Sequence, residues 1–259
     1  MSDYFKVKWK IVASRLLLLF CVHCVGFGAA FDVSAAPERS APSAVVPEGD
    51  LPDPVAILRS VREMQASIRQ TLQGKLRRGG RTLGYRMVME GVQVRFEFPD
   101  AIPPNPKTVV LKLGEKESQL EVPGNSSGER KVDFADEIGG MGVNYEDLAL
   151  RFLYWDDAVL EGEERLMLSK CWRIRVRRPA EVRSRYAQVV VWVSQTNGAF
   201  LKSEAYHEDG TLLKRLTVRS VQSIGQATTL KQLRIETAAK GEEPAYLDVD
   251  GQAAPRISK

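Results

Sequence analysis

The sequence predicts an α+β fold: a strongly curved antiparallel sheet of about nine to ten strands, an incomplete β-barrel, with helices covering its concave face. Three observations predict it. Residues 186–219, YAQVVVWVSQTNGAFLKSEAYHEDGTLLKRLTVR, hold three apolar-rich runs joined around Asn197-Gly198 and Asp209-Gly210. These dipeptides supply the positive-φ residues of tight hairpins, so the stretch reads as a three-stranded meander. Further alternating runs lie on both sides of it with few helical crossovers, which keeps neighbouring strands antiparallel. Finally, only two stretches carry helical spacing.

The first element of the folded region is one of those helices. Asp53 can cap it, Pro54 suits its first position, and Ile57, Val61, Met64 and Ile68 recur at helical spacing with Leu58 and Leu72 beside them. Arg59, Arg62, Glu63 and Arg69 fall mainly on the other side. After Gly74 the period becomes alternating: Leu83, Tyr85, Met87 and Met89, then Val92, Val94, Phe96 and Phe98, with a hairpin expected at Glu90-Gly91. Pro103, Pro104 and Pro106 break the chain before Val109, Leu111 and Leu113, and a short strand is expected at 118–122. Residues 123–143 read as a loop; Asn125-Ser126-Ser127 fits a glycosylation acceptor, a pattern common by chance.

The second helical stretch is NYEDLALRFLYW, residues 144–155. Asn144 can cap, Glu146 and Asp147 complement the positive end of the helix dipole, and Leu148, Phe152 and Trp155 share a face. Beyond it Trp172, Ile174 and Val176 alternate with Arg173, Arg175 and Arg177, giving one apolar and one basic strand face. The run Val189 to Val193 is apolar on both parities, as a strand covered on both sides requires. The last strands are expected around 228–237 and 246–249.

The N-terminus predicts export. Lys6, Lys8, Lys10 and Arg15 precede an apolar run from Leu16 to about Phe31, followed by small residues at Gly28-Ala29-Ala30 and Ser34-Ala35-Ala36. That order reads as a secretory signal over 1–36, and the run is too short and too interrupted for a spanning helix. Five prolines within 37–54 mark a flexible linker over 37–53, then a single domain over 54–250 and a tail over 251–259. Cys21, Cys24 and His23 leave with the signal, so the mature chain keeps Cys171 and His207 alone. One cysteine and one histidine give no intramolecular disulfide and no zinc site, and Cys171 reads as a small buried residue. The formal charge is +4; four basic and two acidic residues precede Pro37, so the mature excess is about +2. So mild a balance gives no expectation of nucleic-acid binding.

The order from NYEDLALRFLYW through WRIRVRRP to the meander resembles the exported outer-membrane lipoprotein-sorting protein family, whose fold is that of the carriers LolA and LolB. Tyr145-Glu146-Asp147-Leu148, Tyr186, Trp192-Val193, and Tyr206 with Gly210 and Leu212 occupy the places of that family's motifs, and the likeness covers roughly residues 55–240. The resemblance implies an apolar cavity, lidded by helices, that holds acyl chains of a lipid or lipoprotein in the periplasm, with transient membrane contact and other envelope proteins as further partners. Its lining would come from Phe96, Phe98, Trp172, Ile174, Val191, Leu201, Leu216 and Val218 on strands and from Leu148, Phe152 and Trp155 on the second helix. Parity alone does not separate cavity lining from filled core, so a non-catalytic structural or interaction module, meeting partners through Arg173, Arg175 and Arg177, stays open. No cofactor is expected. The acidic pairs Asp136-Glu137 and Asp156-Asp157 come with no base, metal ligand or phosphate loop, so no enzyme is expected.

Overall fold

Twelve strands form one antiparallel sheet, in the order β5-β4-β3-β2-β1-β12-β11-β10-β9-β8-β7-β6. The computed structural model describes residues 51–114, 118–124, 131–166, 168–225, 227–239 and 241–253. The expected signal, most of the linker, the glycosylation acceptor and the end of the tail lie outside the described residues. The strands are β1 (Arg69–Arg78), β2 (Arg81–Glu90), β3 (Gln93–Glu97), β4 (Thr108–Leu113), β5 (Ser118–Glu121), β6 (Asp157–Leu166), β7 (Ser169–Arg177), β8 (Gln188–Ser194), β9 (Phe200–Tyr206), β10 (Leu212–Ile224), β11 (Ala227–Thr237) and β12 (Ala245–Gln252). The sheet is curved and does not close, because β5 and β6 stand at its two ends. Every strand pairs with its neighbour in sequence except at one joint. There β1 pairs with β12, so the first and last strands link two meanders.

Two strands exceed the nine to ten expected. β1 hides because Ile68 and Leu72 continue the spacing of the preceding helix and Gly74 looks like a break; β6, DAVLEGEERL, hides because its acidic residues obscure any apolar alternation. Helix α1 (Pro54–Ala66) begins as expected, with Asp53 Oδ1 accepting from Val55 N at 3.0 Å and Pro54 in its first turn. It ends one turn early. Ser67 turns back to donate its hydroxyl to Met64 O at 2.7 Å, and Leu72 is buried in a strand instead. The hairpin turns fall where the dipeptides place them, with φ of +69° at Gly91, +69° at Gly198 and +81° at Gly210.

The sheet has two unlike faces. On the inner face Leu72, Leu76, Leu83, Tyr85, Phe96, Val109, Ile174, Val191, Leu216, Leu233, Ile235 and Leu247 join one apolar cluster with Leu58 and Val61 of α1. The outer face is ionic. Glu161 takes Arg173 at 3.2 Å and also Arg175, Glu204 takes Lys202 at 2.9 Å and Arg215 at 2.8 Å, and Asp248 takes Arg77. Burial pushes the Glu204 carboxyl up, but hydrogen bonds from Tyr206, Lys202 and Arg215 win and hold it at about 2. A small second cluster, Cys171, Val190 and Trp192, lies beneath these charges, with Lys202 Nζ 4.1 Å from the Trp192 ring centre.

Gly74 marks the joint. The β1–β12 register shifts between Gln73 and Gly74, and a Cβ at residue 74 would stand 2.0 Å from Asp248 O and 2.6 Å from Tyr85 Oη. That close approach lets the Tyr85 hydroxyl donate to Asp248 O at 2.9 Å. Gly74→Ala must push the two strands apart, so it is expected to lower unfolding stability by about 2 kcal/mol or more, measured by urea denaturation. A midpoint unchanged from wild type would show that the joint tolerates a side chain.

Candidate functional site

The residues expected to line a cavity are mostly brought together, and they are packed. Phe96, Phe98, Phe152, Trp155, Ile174, Val191 and Leu216 share the inner-face cluster, each 3 % exposed or less. Leu148, Trp172 and Val218 lie against the same cluster and are only partly buried. Leu201 departs from the set. A register shift between Trp192 and Val193 in the β8–β9 pair puts it with Cys171, Val190 and Trp192 on the outer face. Two clefts of about 390 and 500 Å³ open elsewhere, one around Lys75, Lys231 and Asp250 and one around Arg81, Ile102 and Gly140; neither is lined by these residues.

The segment 144–155, which packs into this apolar cluster, is not the single helix that its spacing predicts. Helix α2 (Tyr145–Ala149) is five residues long, Leu150 adopts a left-handed conformation at φ 45° and ψ 47°, and a 3-10 turn follows over Arg151–Tyr154. A bulky residue at positive φ costs roughly 1–2 kcal/mol, so contacts elsewhere must hold it. They are present. Phe152, Leu153 and Trp155 are buried in the main cluster, Phe152 lies 6.2 Å from the Phe200 ring, and Arg62 of α1 donates to Leu153 O at 2.9 Å.

One buried carboxylate ties this segment to the sheet. Asn144 Oδ1 accepts from Asp147 N at 2.9 Å and Asp147 Oδ2 accepts from Asn144 N at 3.0 Å, a reciprocal capping box. The same Asp147 accepts from Lys214 Nζ of β10 at 2.7 Å and from the Tyr186 hydroxyl at 2.7 Å. The Asp147 side chain is 1 % exposed and that of Lys214 10 %. In the sequence Asp147 reads as a complement to the helix dipole and, with Tyr186, as a motif position, but nothing there joins the two to each other or to Lys214. A signal was there: Lys214 shares the parity of Leu216 and Val218, so a cation occupies the apolar side of a strand and requires a buried anion.

Glu146 is the unbalanced member of this group. It is fully buried, and neither carboxylate oxygen makes a well-formed hydrogen bond. Burial pushes its carboxyl up to about 7, against the weaker pull of the Ser184 hydroxyl, Arg151 and Lys214. Burial likewise raises the Tyr145 hydroxyl to about 12, and raises Tyr186 beside Asp147 well above the ordinary tyrosine range. Cys171 is buried and its thiol is pushed up by desolvation, the setting of an inert cysteine rather than a nucleophile. Among the described residues no group of three His, Cys, Asp or Glu could hold a metal ion, and no helix is long and apolar enough to cross a membrane.

Comparison with solved structures places the fold. A LolA superfamily protein from Nitrosomonas europaea is 18% identical with a TM-score of 0.56, covering 78% of this chain and 94% of its own. A domain from Vibrio parahaemolyticus described as an outer membrane lipoprotein-sorting protein is 15% identical with a TM-score of 0.56, covering 76% and 88%. A DUF1329 family protein from Desulfovibrio piger is 17% identical with a TM-score of 0.55, covering 77% and 92%. A family model described only as an uncharacterized protein matches residues 130–246, and no curated protein matches the sequence. The LolA-like fold is therefore established, as the motif order implies.

Two outcomes follow from the buried charges. Lys214→Met strands the Asp147 carboxylate in a dry site and is expected to cost about 3–5 kcal/mol, whereas pairing it with Asp147→Asn recovers a large part of that loss, as a double-mutant cycle by urea denaturation would read. The raised Glu146 carboxyl binds its proton more tightly in the folded chain than in the unfolded one. Its contribution is thus fully present below about pH 4.5 and declines as the pH rises toward 7, by about 3 kcal/mol in all. Glu146→Gln removes that decline; an identical pH dependence in wild type and variant would contradict it.

Proposed function

We propose that this chain is a non-catalytic envelope protein, exported to the periplasm by a cleaved signal, that binds acyl chains of lipids or lipoproteins on the inner face of its curved sheet. The observation that carries this reading is the continuous apolar cluster joining strands from both meanders to α1 and to residues 144–155, on a LolA-like sheet. An acyl chain crossing water needs such a surface, and each shielded methylene contributes about 0.8 kcal/mol. Helix α1 and the 144–155 segment serve as the cover, and cargo takes the places of Phe152 and Trp155 when they withdraw. Trp172 and Val218, left partly buried at the margin, make first contact. The low charge excess and the outer ionic lattice support lipid and envelope partners rather than nucleic acid, and no cofactor takes part.

The packing favours one second reading, a structural or interaction module whose core stays filled. Seven of the eleven residues expected to line the cavity are each 3 % exposed or less. The basic stripe offered for partners is already engaged, since Arg173 and Arg175 meet Glu161 and Arg177 lies 3.9 Å from Asp157.

Native mass spectrometry of protein released gently from the periplasm separates the two: a co-purifying lipid or lipoprotein supports the carrier. With purified protein, acylated peptides are expected to raise Tm, and Val218→Asp on the inner face to weaken their binding about tenfold or more. Val221→Asp, at an exposed site of the same strand, leaves binding unchanged. Protein that carries no lipid and whose Tm ignores acylated peptides is the module instead.

A further inference from the structure

The inner-face segment has the construction of a latch rather than of a permanent core element. A five-residue helix has no stability of its own in water, so α2 persists only while docked. Its cap and its dock are the same carboxylate, because Asp147 closes the capping box and also receives Lys214 and Tyr186. When Asp147 leaves its seat, the ion pair to Lys214 and the hydroxyl bond from Tyr186 are lost together, and α2 keeps only its local capping box. On the far side of α2 the chain turns through Leu150 at φ 45°, a strained position from which any release recovers energy.

Glu146 sits where it can work this latch. It precedes Asp147, is fully buried, and has no well-formed hydrogen bond at either oxygen. The charged and titratable groups around it are Asp147 and Arg151 on its own segment, Tyr186 from the chain before β8, and Lys214 from β10, with the Ser184 hydroxyl beside them. With Glu146 protonated, Lys214 has one buried carboxylate to serve. With Glu146 ionised, two adjacent carboxylates share that ammonium in a site of low dielectric, and solvation of the segment becomes the cheaper outcome.

We propose that residues 144–155 form a proton-controlled plug: a proton on Glu146 leaves the Asp147–Lys214 pair intact and the plug seated, and loss of that proton opens the pair and uncovers the apolar inner face. The proposal rests on the carrier reading for its purpose but not for its mechanics. The plug is a different object from the lattice of the outer face, where hydrogen bonds outweigh burial and hold the Glu204 and Asp248 carboxyls below their ordinary range.

Amide hydrogen exchange followed by mass spectrometry tests it on the purified protein. After correction for chemical exchange, opening of 144–155 is expected to increase about tenfold between pH 6 and pH 8, while the β8 amides at 188–194 stay protected. Glu146→Gln abolishes the increase, and the neutral pair Asp147→Asn with Lys214→Met exchanges faster at both pH values with no pH step. Equal protection of the segment at pH 6 and 8 in wild type, or a step that survives Glu146→Gln, overturns the proposal. A fluorescent fatty acid, cis-parinaric acid, separates this from the carrier reading. A pH step in exchange without probe binding keeps the latch and removes the carrier; probe binding equal at both pH values and in Glu146→Gln keeps the carrier and removes the latch.

Discussion

The inner half of this molecule depends on the burial of one carboxylate. Asp147 satisfies the start of α2, receives the only buried lysine among the described residues, and takes the hydroxyl of Tyr186. Such a group is not optimal for stability: a buried ion pair gives back in desolvation most of what it gains in attraction. What it provides is a unique seating. Apolar side chains such as Phe152, Leu153 and Trp155 pack in many registers, but a carboxylate with three donors has one. The placement of the aromatic residues over the sheet follows from that choice, as does the awkward backbone at Leu150.

The outer face is organised by the opposite logic. Most of its ion pairs cross strands, Glu161 to Arg173 and Arg175, Glu204 to Arg215, and Asp248 to Arg77, while Glu204 also meets Lys202 of its own strand and the Gln232 amide donates to Asp248. Most of the basic partners are about two-fifths exposed, so each pair contributes a few tenths of a kcal/mol up to about 1. Their value is in pairing: a strand that slipped by one residue would turn arginines inward and valines outward. The inner face supplies the stability and the outer face the register.

Much of this fold was legible in the residues. Asn197-Gly198 and Asp209-Gly210 located the meander because a backbone conformation demands those residue types, and Asp53-Pro54 located the first helix for a similar local reason. The helix end and β1 were not legible, because Ile68 and Leu72 fit helical spacing as well as they fit a strand and only pairing with β12 and β2 decides. β6 was hidden by acids whose partners, the arginines of β7, are adjacent only once the sheet has formed. Of the strand residues named for the site, Phe96, Trp172, Ile174, Val191, Leu216 and Val218 join the main apolar cluster, and Leu201 does not, because a register shift reverses its facing. The buried pair was the hardest to see: Asp147 and Lys214 lie far apart in the chain, and nothing local joins them.

The joint between β1 and β12 gives the molecule a particular order of assembly. Strands β1 to β5 can pair among themselves as soon as they exist, and so can β6 to β12, since every pairing within each arm is between sequence neighbours. The two arms pair as strands only through residues 69–78 and 245–252, which lie far apart in the chain. Until the last strand is available, β1 holds an unpaired edge, and the apolar wall is divided between two separate half-sheets. A chain that emerges from a pore with its N-terminus first must therefore wait for residues 245–252 before its two half-walls become one inner face, and in that interval the edge of β1 is open to any strand that reaches it first.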